Sequence, residues 1–364
     1  MTKNIFLSFI LFSFIQSSLQ AKEFKATKIV DGLGVAWAIE EINASTLLIT
    51  NRRGKYHVVD LKTKSKKTYK FPLEVKRGGQ GGLLDIEKHP DFKKNQLVYF
   101  TFSKEQAGDK ATTALARGKW NTETQTVESV SEIFEAKAST DTSRHYGSRL
   151  TFDKEGNLFM SIGDRGHRPN GQDLKVHAGK ILRLTMDGKA ANGNPFESDK
   201  NALDEIWSYG HRNPQGLYFD DKTQTLWAIE HGPRGGDEIN IIEQKKNYGW
   251  AQITYGKEYW GPFQVGEGVK KEGMEQPWKY YVPSIAPSDL VLYRGKNYPS
   301  LNSSLITGAL ALQHLNIIKV DKRKEIKETR ALEKLEERFR SILISTEDKI
   351  YFGTDSGILY LLSE

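Results

Sequence analysis

Six short apolar runs, separated by turns rich in Gly, Asp and Asn, are the feature that most constrains the fold of this 364-residue chain. Each run has the composition of a β-strand, most follow a polar turn, and several are followed by a second strand. The runs are 46–50, 96–101, 157–161, 225–229, 304–308 and 349–353. Their starts are about 45 to about 79 residues apart. This spacing predicts an all-β fold, a six-bladed β-propeller with long inter-strand loops.

Two observations bear on the alternatives to a propeller. A pair of β-sandwiches would need a linker rich in Pro, Gly or Ser near the middle of the chain, and none is present. Residues 322–338 have helical propensity. In a propeller we expect them to supply strand and loop instead.

The N-terminal segment and the composition indicate an exported protein. Residues 1–21 have the form of a secretory signal peptide, with Lys3, an apolar run over 5–15 and a small residue, Ala21, at the cleavage site. The apolar run is too short to span a bilayer, so we expect no stable membrane insertion. We therefore predict a periplasmic or secreted protein with one catalytic propeller domain over 22–364.

The absence of cysteine excludes thiol nucleophiles, thiolate metal sites and disulfides, so stability must come from a large core or a closed topology. The net charge of +7 is spread along the chain. Spread charge is typical of solvated surface, and we expect no nucleic-acid partner.

A histidine and an aspartate flank one of the six runs. His145 precedes a predicted strand that begins near Leu150, and Asp164 follows the run 157–161. A strand pair that brings an imidazole and a carboxylate to one rim is a plausible general-base arrangement. A loop histidine and a turn aspartate remain the alternative.

Four other segments carry polar or aromatic groups suited to a ligand. The glycine-dense segment 78–84 contains Gln80 and lets backbone approach a flat ligand, although a mobile loop has the same composition. The turn 208–217 carries Arg212 and Asn213, which also suits an ordinary surface turn. Aromatic residues at 247–250 and 255–261 suit sugars or a flat cofactor, or simply a core.

Charged residues in two further segments point to ions. Acidic residues around 230–240 lie beside a Gly-Pro loop, a combination that calcium prefers, whereas no HExxH pair supports zinc. Arg338 and Arg340 would face the same side of a strand. Two like charges there are unfavourable unless an anion lies between them or solvent screens them.

Taken together, these segments resemble the soluble pyrroloquinoline quinone (PQQ)-dependent aldose sugar dehydrogenases of the glucose/sorbosone dehydrogenase family. The matching stretches follow the order of the family over nearly all of the chain beyond the signal. They are 78–92, 145–166, 179–196, 206–220, 230–250, 283–293 and 337–357.

The resemblance implies a six-bladed propeller with PQQ on its axial face, and roles for individual residues. His145 would be the proton acceptor and Asp164 the residue that orients it. The positions that correspond to cofactor or substrate contacts are Gln80, Arg212, Asn213, Tyr259, Ala309, Leu310, Ala311, Arg338 and Arg340. The positions that correspond to calcium (Ca2+) sites are Glu238, Tyr248, Gly232 and Pro233.

The sequence departs from the family at three places. Some relatives have a lysine where Ala311 stands, which would leave Arg338 and Arg340 with more of the anion binding. Some glucose-specific relatives have glutamine at the position of His231. A Gly-Leu-Ala sequence is common where 85–87 stands.

The residue types fit oxidation of the anomeric C1 of an aldose to a lactone. A neutral histidine can take the hydroxyl proton, and a cofactor must accept the hydride because no side chain can. No nicotinamide-binding GxGxxG unit is present. A calcium-dependent propeller hydrolase such as a lactonase, and a non-catalytic exported glycan-binding propeller, remain alternatives. The expected partners are an aldose and a periplasmic electron acceptor, and the expected assembly is a monomer or dimer.

Overall fold

Twenty-four β-strands form six four-stranded antiparallel sheets in the computed structural model, which describes residues 23–364. The strands of the N-terminal half are β1 (Lys25–Val30), β2 (Ala36–Asn43), β3 (Thr46–Asn51), β4 (Lys55–Asp60), β5 (Ser65–Lys70), β6 (Leu83–Lys88), β7 (Leu97–Gln106), β8 (Lys110–Asn121), β9 (Thr126–Glu135), β10 (Leu150–Phe152), β11 (Leu158–Ile162) and β12 (Lys180–Leu184). Those of the C-terminal half are β13 (Ile206–Tyr209), β14 (Pro214–Asp220), β15 (Thr225–Glu230), β16 (Asp237–Ile242), β17 (Lys279–Tyr281), β18 (Pro287–Tyr293), β19 (Ser304–Ala309), β20 (His314–Asp321), β21 (Lys324–Ala331), β22 (Phe339–Ile344), β23 (Ile350–Thr354) and β24 (Leu359–Ser363).

Each sheet is one blade of a six-bladed β-propeller, as the sequence predicts. Blades one to five are β2–β5, β6–β9, β10–β13, β14–β17 and β18–β21. Blade six contains β22, β23 and β24, and its outermost strand is the N-terminal β1. The two ends of the described chain therefore close the ring through backbone hydrogen bonds, which a protein without cysteine needs in place of covalent links.

The six apolar runs found in the sequence are the second strands of the six blades, namely β3, β7, β11, β15, β19 and β23. The segment 322–338 supplies β21 and loop, so its helical propensity is overridden by pairing with β20. Helices are short. Between residues 23 and 364 they are one α-helical turn, α1 (Phe92–Asn95), and 3-10 turns at Arg168–Gly171, Pro299–Leu301 and Glu333–Leu335.

Six apolar clusters fill the boundaries between neighbouring blades, including the boundary between blades six and one. Between blades one and two, for example, Trp37, Phe71 and Phe100 are buried together. Every blade is thus covered on both faces by its neighbours. Burial of this apolar surface is the main contribution to stability in a closed ring.

The innermost strands of the six blades are β2, β6, β10, β14, β18 and β22, and the later residues of these strands line a central cavity of about 600 Å3. Asp85, at the first of the positions where the sequence is expected to depart from the family pattern, lies here. It is buried and accepts a 2.7 Å hydrogen bond from Nη1 of Arg149, whose Nε lies 3.4 Å from Asp289. The acidic departure at 85–87 is therefore accommodated by an ion pair that links blades two, three and five.

No helix among residues 23–364 is long and apolar enough to cross a membrane. The predicted signal peptide, residues 1–21, lies outside the described residues.

Candidate active site

Most of the predicted site residues lie at one rim of the propeller, because the first two strands of each blade are antiparallel. Residues that precede an innermost strand and residues that follow the next, antiparallel strand lie at the same end of a blade. Gln80, His145, Arg212 and Arg338 all precede innermost strands. Asp164 follows β11 and so reaches the same end. We call this end the upper rim.

His145 and Asp164 form the hydrogen-bonded pair that the sequence predicts. Nδ1 of His145 lies 2.7 Å from Oδ1 of Asp164. The carboxylate also accepts hydrogen bonds from the backbone N–H of Gly166 (2.7 Å, to Oδ1) and from Nε1–H of Trp250 (2.7 Å, to Oδ2). With two further donors on it, Asp164 is an ionised acceptor, so Nδ1 of His145 carries the hydrogen and Nε2 holds a lone pair.

The surroundings keep His145 neutral near pH 7. Burial lowers the pKa of His145 below its ordinary value; the hydrogen bond with Asp164 raises it in part, and the charge of Arg212 lowers it again. Burial alone would raise the pKa of Asp164, but the hydrogen bond from His145 and the charge of Arg212 leave it lowered. Within residues 23–364, no partner hydrogen-bonds Nε2 of His145. The pair is therefore a base with its accepting atom available.

Arg212 and Asn213 lie beside this pair. Nη1 of Arg212 donates to the carbonyl of His231 (3.1 Å), and Nη2 contacts the hydroxyl of Tyr259 (3.5 Å). Its guanidinium lies 5.3 Å from the ring centroid of Trp250, and its buried Nε has no hydrogen-bond partner in the described chain. Oδ1 of Asn213 accepts from the backbone of the His145 loop at Gly147 (3.1 Å).

Gln80 positions the histidine from the neighbouring blade. The side-chain Oε1 of Gln80 accepts a 2.7 Å hydrogen bond from the backbone N–H of His145. The backbone N–H of Gln80 donates to the carbonyl of Ser143 (2.8 Å). His145 has a left-handed backbone, with φ of 56°. A non-glycine residue in this conformation has to be held by its surroundings, and the hydrogen bond to Gln80 is one such restraint.

Arg338 and Arg340 face the same side, as their spacing predicts, and a carboxylate of the protein lies between them. Arg340 binds Asp355 through Nε (2.7 Å) and Nη2 (3.0 Å), and Nε of Arg338 lies 2.8 Å from the same carboxylate. Burial raises the pKa of Asp355, and the two arginines together outweigh this and lower it. Asp355, which follows β23 at the upper rim, was not among the predicted site residues.

The segment 309–311 contacts this cluster through its backbone. The carbonyl of Leu310 accepts a 2.8 Å hydrogen bond from Nη1 of Arg338. Ala309 and Leu310 are buried, whereas Ala311 is exposed. The side chain of Arg340 is 7% exposed and that of Arg338 is 47% exposed. Arg338 is therefore the member of the pair that is open to a ligand.

Three of the four residues predicted to bind calcium, Gly232, Glu238 and Tyr248, line a small pocket together with Arg212. The pocket, of about 10 Å3, is lined in part by Glu230, Gly232, Glu238 and Tyr248. Glu230 and Glu238 are direct cross-strand partners in β15 and β16. Burial, and then the charge of Glu230, raise the pKa of Glu238 well above its ordinary value.

The fit of these residues to a metal is partial. Among residues 23–364, no group of three or more His, Cys, Asp or Glu side chains is arranged to hold a metal ion. The hydroxyl of Tyr248 donates to the carbonyl of Ile241 (2.6 Å), which leaves its backbone carbonyl as a possible ligand. Pro233 follows Gly232 in the loop between β15 and β16 and is buried.

His231 lies near His145 and near the guanidiniums of Arg212 and Arg340. Burial, followed by the charges of Arg212 and Arg340, lowers the pKa of His231 to about 3, so this side chain is neutral. Its Nε2 is buried without a hydrogen-bond partner in the described chain. The positions of Trp250 and His231 in the site were not predicted, although both lie in segments that the sequence analysis singled out.

Comparison with known proteins identifies the family of the chain. The sequence model of the family described as Glucose / Sorbosone dehydrogenase matches residues 33–361. The chain belongs to the glucose/sorbosone dehydrogenase family. This family relationship accounts for the six-bladed propeller and makes the protein an oxidoreductase of the sugar dehydrogenase type.

Individual members of the glucose/sorbosone dehydrogenase family are similar over most of the chain. The aldose sugar dehydrogenase YliI of Escherichia coli is 37% identical over 281 residues, which cover 77% of this chain and 76% of that protein. A crystal structure of a glucose dehydrogenase is 35% identical, covers 93% of this chain and 98% of its own, and has a TM-score of 0.89. The PQQ-bound aldose sugar dehydrogenase of Streptomyces coelicolor is 25% identical, with coverage of 94% and 98% and a TM-score of 0.77.

Proposed function

We propose that this protein is a PQQ-dependent aldose sugar dehydrogenase that oxidises the anomeric C1 of an aldose to the lactone. The observation that carries the proposal is the neutral His145, held by Asp164, beside the cationic groups of Arg212, Arg338 and Arg340 on one rim. Base and cations come from three different blades. A similar fold in a relative that binds PQQ supports the same cofactor here.

The residues present fit an acidic, planar, oxygen-rich cofactor. Arg212 has a buried Nε without a partner, and Arg338 is half exposed. The amide nitrogen of Asn213 makes no hydrogen bond to any residue of 23–364. Guanidinium groups bind carboxylates through paired hydrogen bonds, and an amide N–H suits a quinone oxygen. Arg338 and Arg340 would hold the carboxylates, while Arg212 and Asn213 would lie near the quinone oxygens.

In the proposed reaction the residues of the chain hold and move one proton. Nε2 of His145 takes the proton of the anomeric hydroxyl, and Nδ1–H stays hydrogen-bonded to Asp164. The ionised Asp164 stabilises the imidazolium that forms and fixes the ring orientation. Gln80 holds the backbone of His145 in place. When bound, PQQ supplies the acceptor for the hydride of C1, which no side chain can accept.

A calcium ion is part of this proposal, with Glu238 and the backbone carbonyls of Tyr248, Gly232 and Pro233 as its ligands. Calcium takes oxygen ligands, and a pocket of about 10 Å3 has room for roughly one water-sized species. Two carboxylates directly opposite each other on neighbouring strands repel unless a cation or proton lies nearby. A divalent ion beside Glu230 and Glu238 would relieve this repulsion.

The proposal also covers the location of the protein and its oligomeric state. The predicted signal peptide would take the protein to the periplasm or outside the cell, where a separate electron acceptor reoxidises the cofactor. We expect a monomer or dimer. The relatives favour an oxidoreductase over a calcium-dependent hydrolase or a glycan-binding propeller, and the following assay distinguishes the three.

The test is to mix purified apoprotein with PQQ and Ca2+ and to follow dye reduction with a panel of aldoses. We expect dye reduction with aldose only when PQQ is present. His145→Ala should bind PQQ with an affinity close to that of the wild type, measured by fluorescence titration, but lose most turnover. Lactone hydrolysis without PQQ would indicate the hydrolase, and glycan binding that is indifferent to PQQ would indicate the binding protein.

A further inference from the structure

Arg52 lies at the upper rim but was not among the predicted site residues. It directly follows β3, the second strand of blade one. This is the same place in its blade that Asp164 occupies near the end of β11 and Asp355 near the end of β23. Blade one adjoins blade six, because the backbone carbonyl of Ala36 in β2 accepts a 2.9 Å hydrogen bond from Ser341 in β22. Arg52 is thus placed beside the arginine cluster of blade six.

The backbone of Arg52 is packed against the glycine-dense loop that carries Gln80. A Cβ atom added to Gly82 would lie 1.9 Å from the carbonyl oxygen of Arg52 and 2.5 Å from its Cγ. Only glycine permits this approach. The close packing fixes where the side chain of Arg52 begins, between the loop of blade two and the cluster of blade six.

The guanidinium of Arg52 is partly buried, yet it makes no hydrogen bond or ion pair with any residue between 23 and 364. A guanidinium carries five N–H donors and no acceptor, so this one is available to an anionic ligand. Its neighbour Arg53 differs, since it is exposed and lines a separate surface cleft with Lys76 and Glu105. Two adjacent arginines therefore have different surroundings.

The local charge balance is positive. Arg338 and Arg340 share one carboxylate, that of Asp355. Arg52 lies close enough to these three side chains for their charges to act on it, so three guanidiniums are near one carboxylate. Burial lowers the pKa of Arg52, the charge of Arg340 lowers it further, Asp355 opposes this in part, and Arg338 adds to the lowering. An additional anion at this place would relieve the excess positive charge.

We propose that Arg52 is a third guanidinium of the anion-binding cluster and contacts a carboxylate of the bound cofactor. This inference rests on the proposed function, since the anion is taken to be PQQ. Arg52 would add, from blade one, a further positive charge to Arg338 and Arg340 of blade six. It also gives the cluster a donor that Asp355 does not occupy.

The experiment compares Arg52→Met with Arg53→Met, a change of the same chemistry one residue away. Apoprotein with Ca2+ is titrated with PQQ and binding is followed by quenching of tryptophan fluorescence, at low and at high salt. We expect Arg52→Met to raise the Kd about 10- to 100-fold, as for the loss of one charge-assisted hydrogen bond, and to weaken the salt dependence. Arg53→Met should stay within about twofold of the wild type. Arg52→Lys should recover part of the affinity, because it keeps the charge without the planar fork.

The outcomes separate this inference from the proposed function. If the wild type binds PQQ and Arg52→Met binds it equally well, the role of Arg52 is wrong and the function stands. If the wild type fails to bind PQQ, the proposed function is wrong. In that case benzene-1,2,4-tricarboxylate serves as the probe. If the wild type and Arg52→Met bind this probe equally well, or if neither binds it, the anion site is wrong as well. A thermal melt checks folding, and Arg52→Lys replaces Arg52→Met if the latter does not fold.

Discussion

Replacing Asp164 with asparagine tests the assignment of His145 as the base. All three groups that contact the Asp164 side chain are N–H donors, from His145, Gly166 and Trp250, at 2.7 Å each. A carboxylate accepts all three on its two oxygens. An asparagine has one oxygen and one NH2 group, so in either orientation of the amide a donor must face another donor.

The two orientations have different consequences. With the oxygen toward His145 and Gly166, the indole N–H of Trp250 is left without an acceptor and the bond to His145 loses its ionic component. With the amide reversed, NH2 faces Nδ1 of His145, which must then accept, so the hydrogen moves to Nε2 and the base is lost. One charge-assisted hydrogen bond is worth about 1.5–3 kcal/mol, and each 1.4 kcal/mol is roughly tenfold in rate. We expect kcat/KM of Asp164→Asn to fall by a factor on the order of 10 to 100 with the oxygen toward His145, and by up to about 10,000 with the amide reversed, because His145 is then in the wrong tautomer.

Steady-state dye reduction with PQQ-loaded protein measures this loss, and a second substitution makes the test specific. Trp250→Phe alone should cost about tenfold or less, because His145 and Gly166 keep their acceptor. In the double variant, the NH2 of asparagine no longer faces the indole N–H, so the oxygen can stay with His145. The double variant should therefore be more active than Asp164→Asn alone. Asp164→Asn with kcat/KM within about threefold of the wild type would refute the reasoning.

Two further predictions concern charge. Arg212→Gln removes a positive charge that lowers the pKa of His145, so the acid limb of the kcat/KM profile should move to higher pH; an unmoved limb would contradict the coupling between them. Asp85→Ala leaves the buried Arg149 without its 2.7 Å partner and should lower the free energy of unfolding by about 3 kcal/mol in urea titrations. Asp85→Ala with Arg149→Met should recover part of that loss, and a strictly additive double variant would show that the pair is not coupled.

The sequence predicted the fold through the second strand of each blade, because that strand is buried on both faces and leaves a continuous apolar run. The run 157–161 became β11 in this way, and the run 304–308 became β19. The helical propensity of 322–338 was misleading on its own, since β21 is a mostly exposed outer strand with charged residues. Pairing with β20, which local propensity does not reveal, determines its conformation.

The candidate site was predicted unevenly, for a physical reason. His145 and Asp164 flank neighbouring strands of one blade, so their approach follows from local antiparallel pairing. Asp355 lies between Arg338 and Arg340 because β22 and β23 are paired, but nothing in the spacing shows which loop residue points inward. The contact of Trp250 with Asp164 joins residues that are 86 positions apart. Such contacts depend on the closed ring and on loop conformations that periodicity does not encode.

The positive charge of the upper rim links the two requirements of the proposed chemistry. Burial lowers the pKa of both His145 and His231, and the charge of Arg212 (with that of Arg340 at His231) lowers it further, so burial and the cations together keep both imidazoles neutral. The same cations are the groups that would bind an acidic cofactor. An anion held among them would offset their charge and bring the pKa of His145 back toward its ordinary value. The base would then be a stronger proton acceptor once the anion is bound, while a pKa near the ordinary value of histidine still leaves it largely unprotonated near pH 7, and both properties favour removal of the anomeric hydroxyl proton.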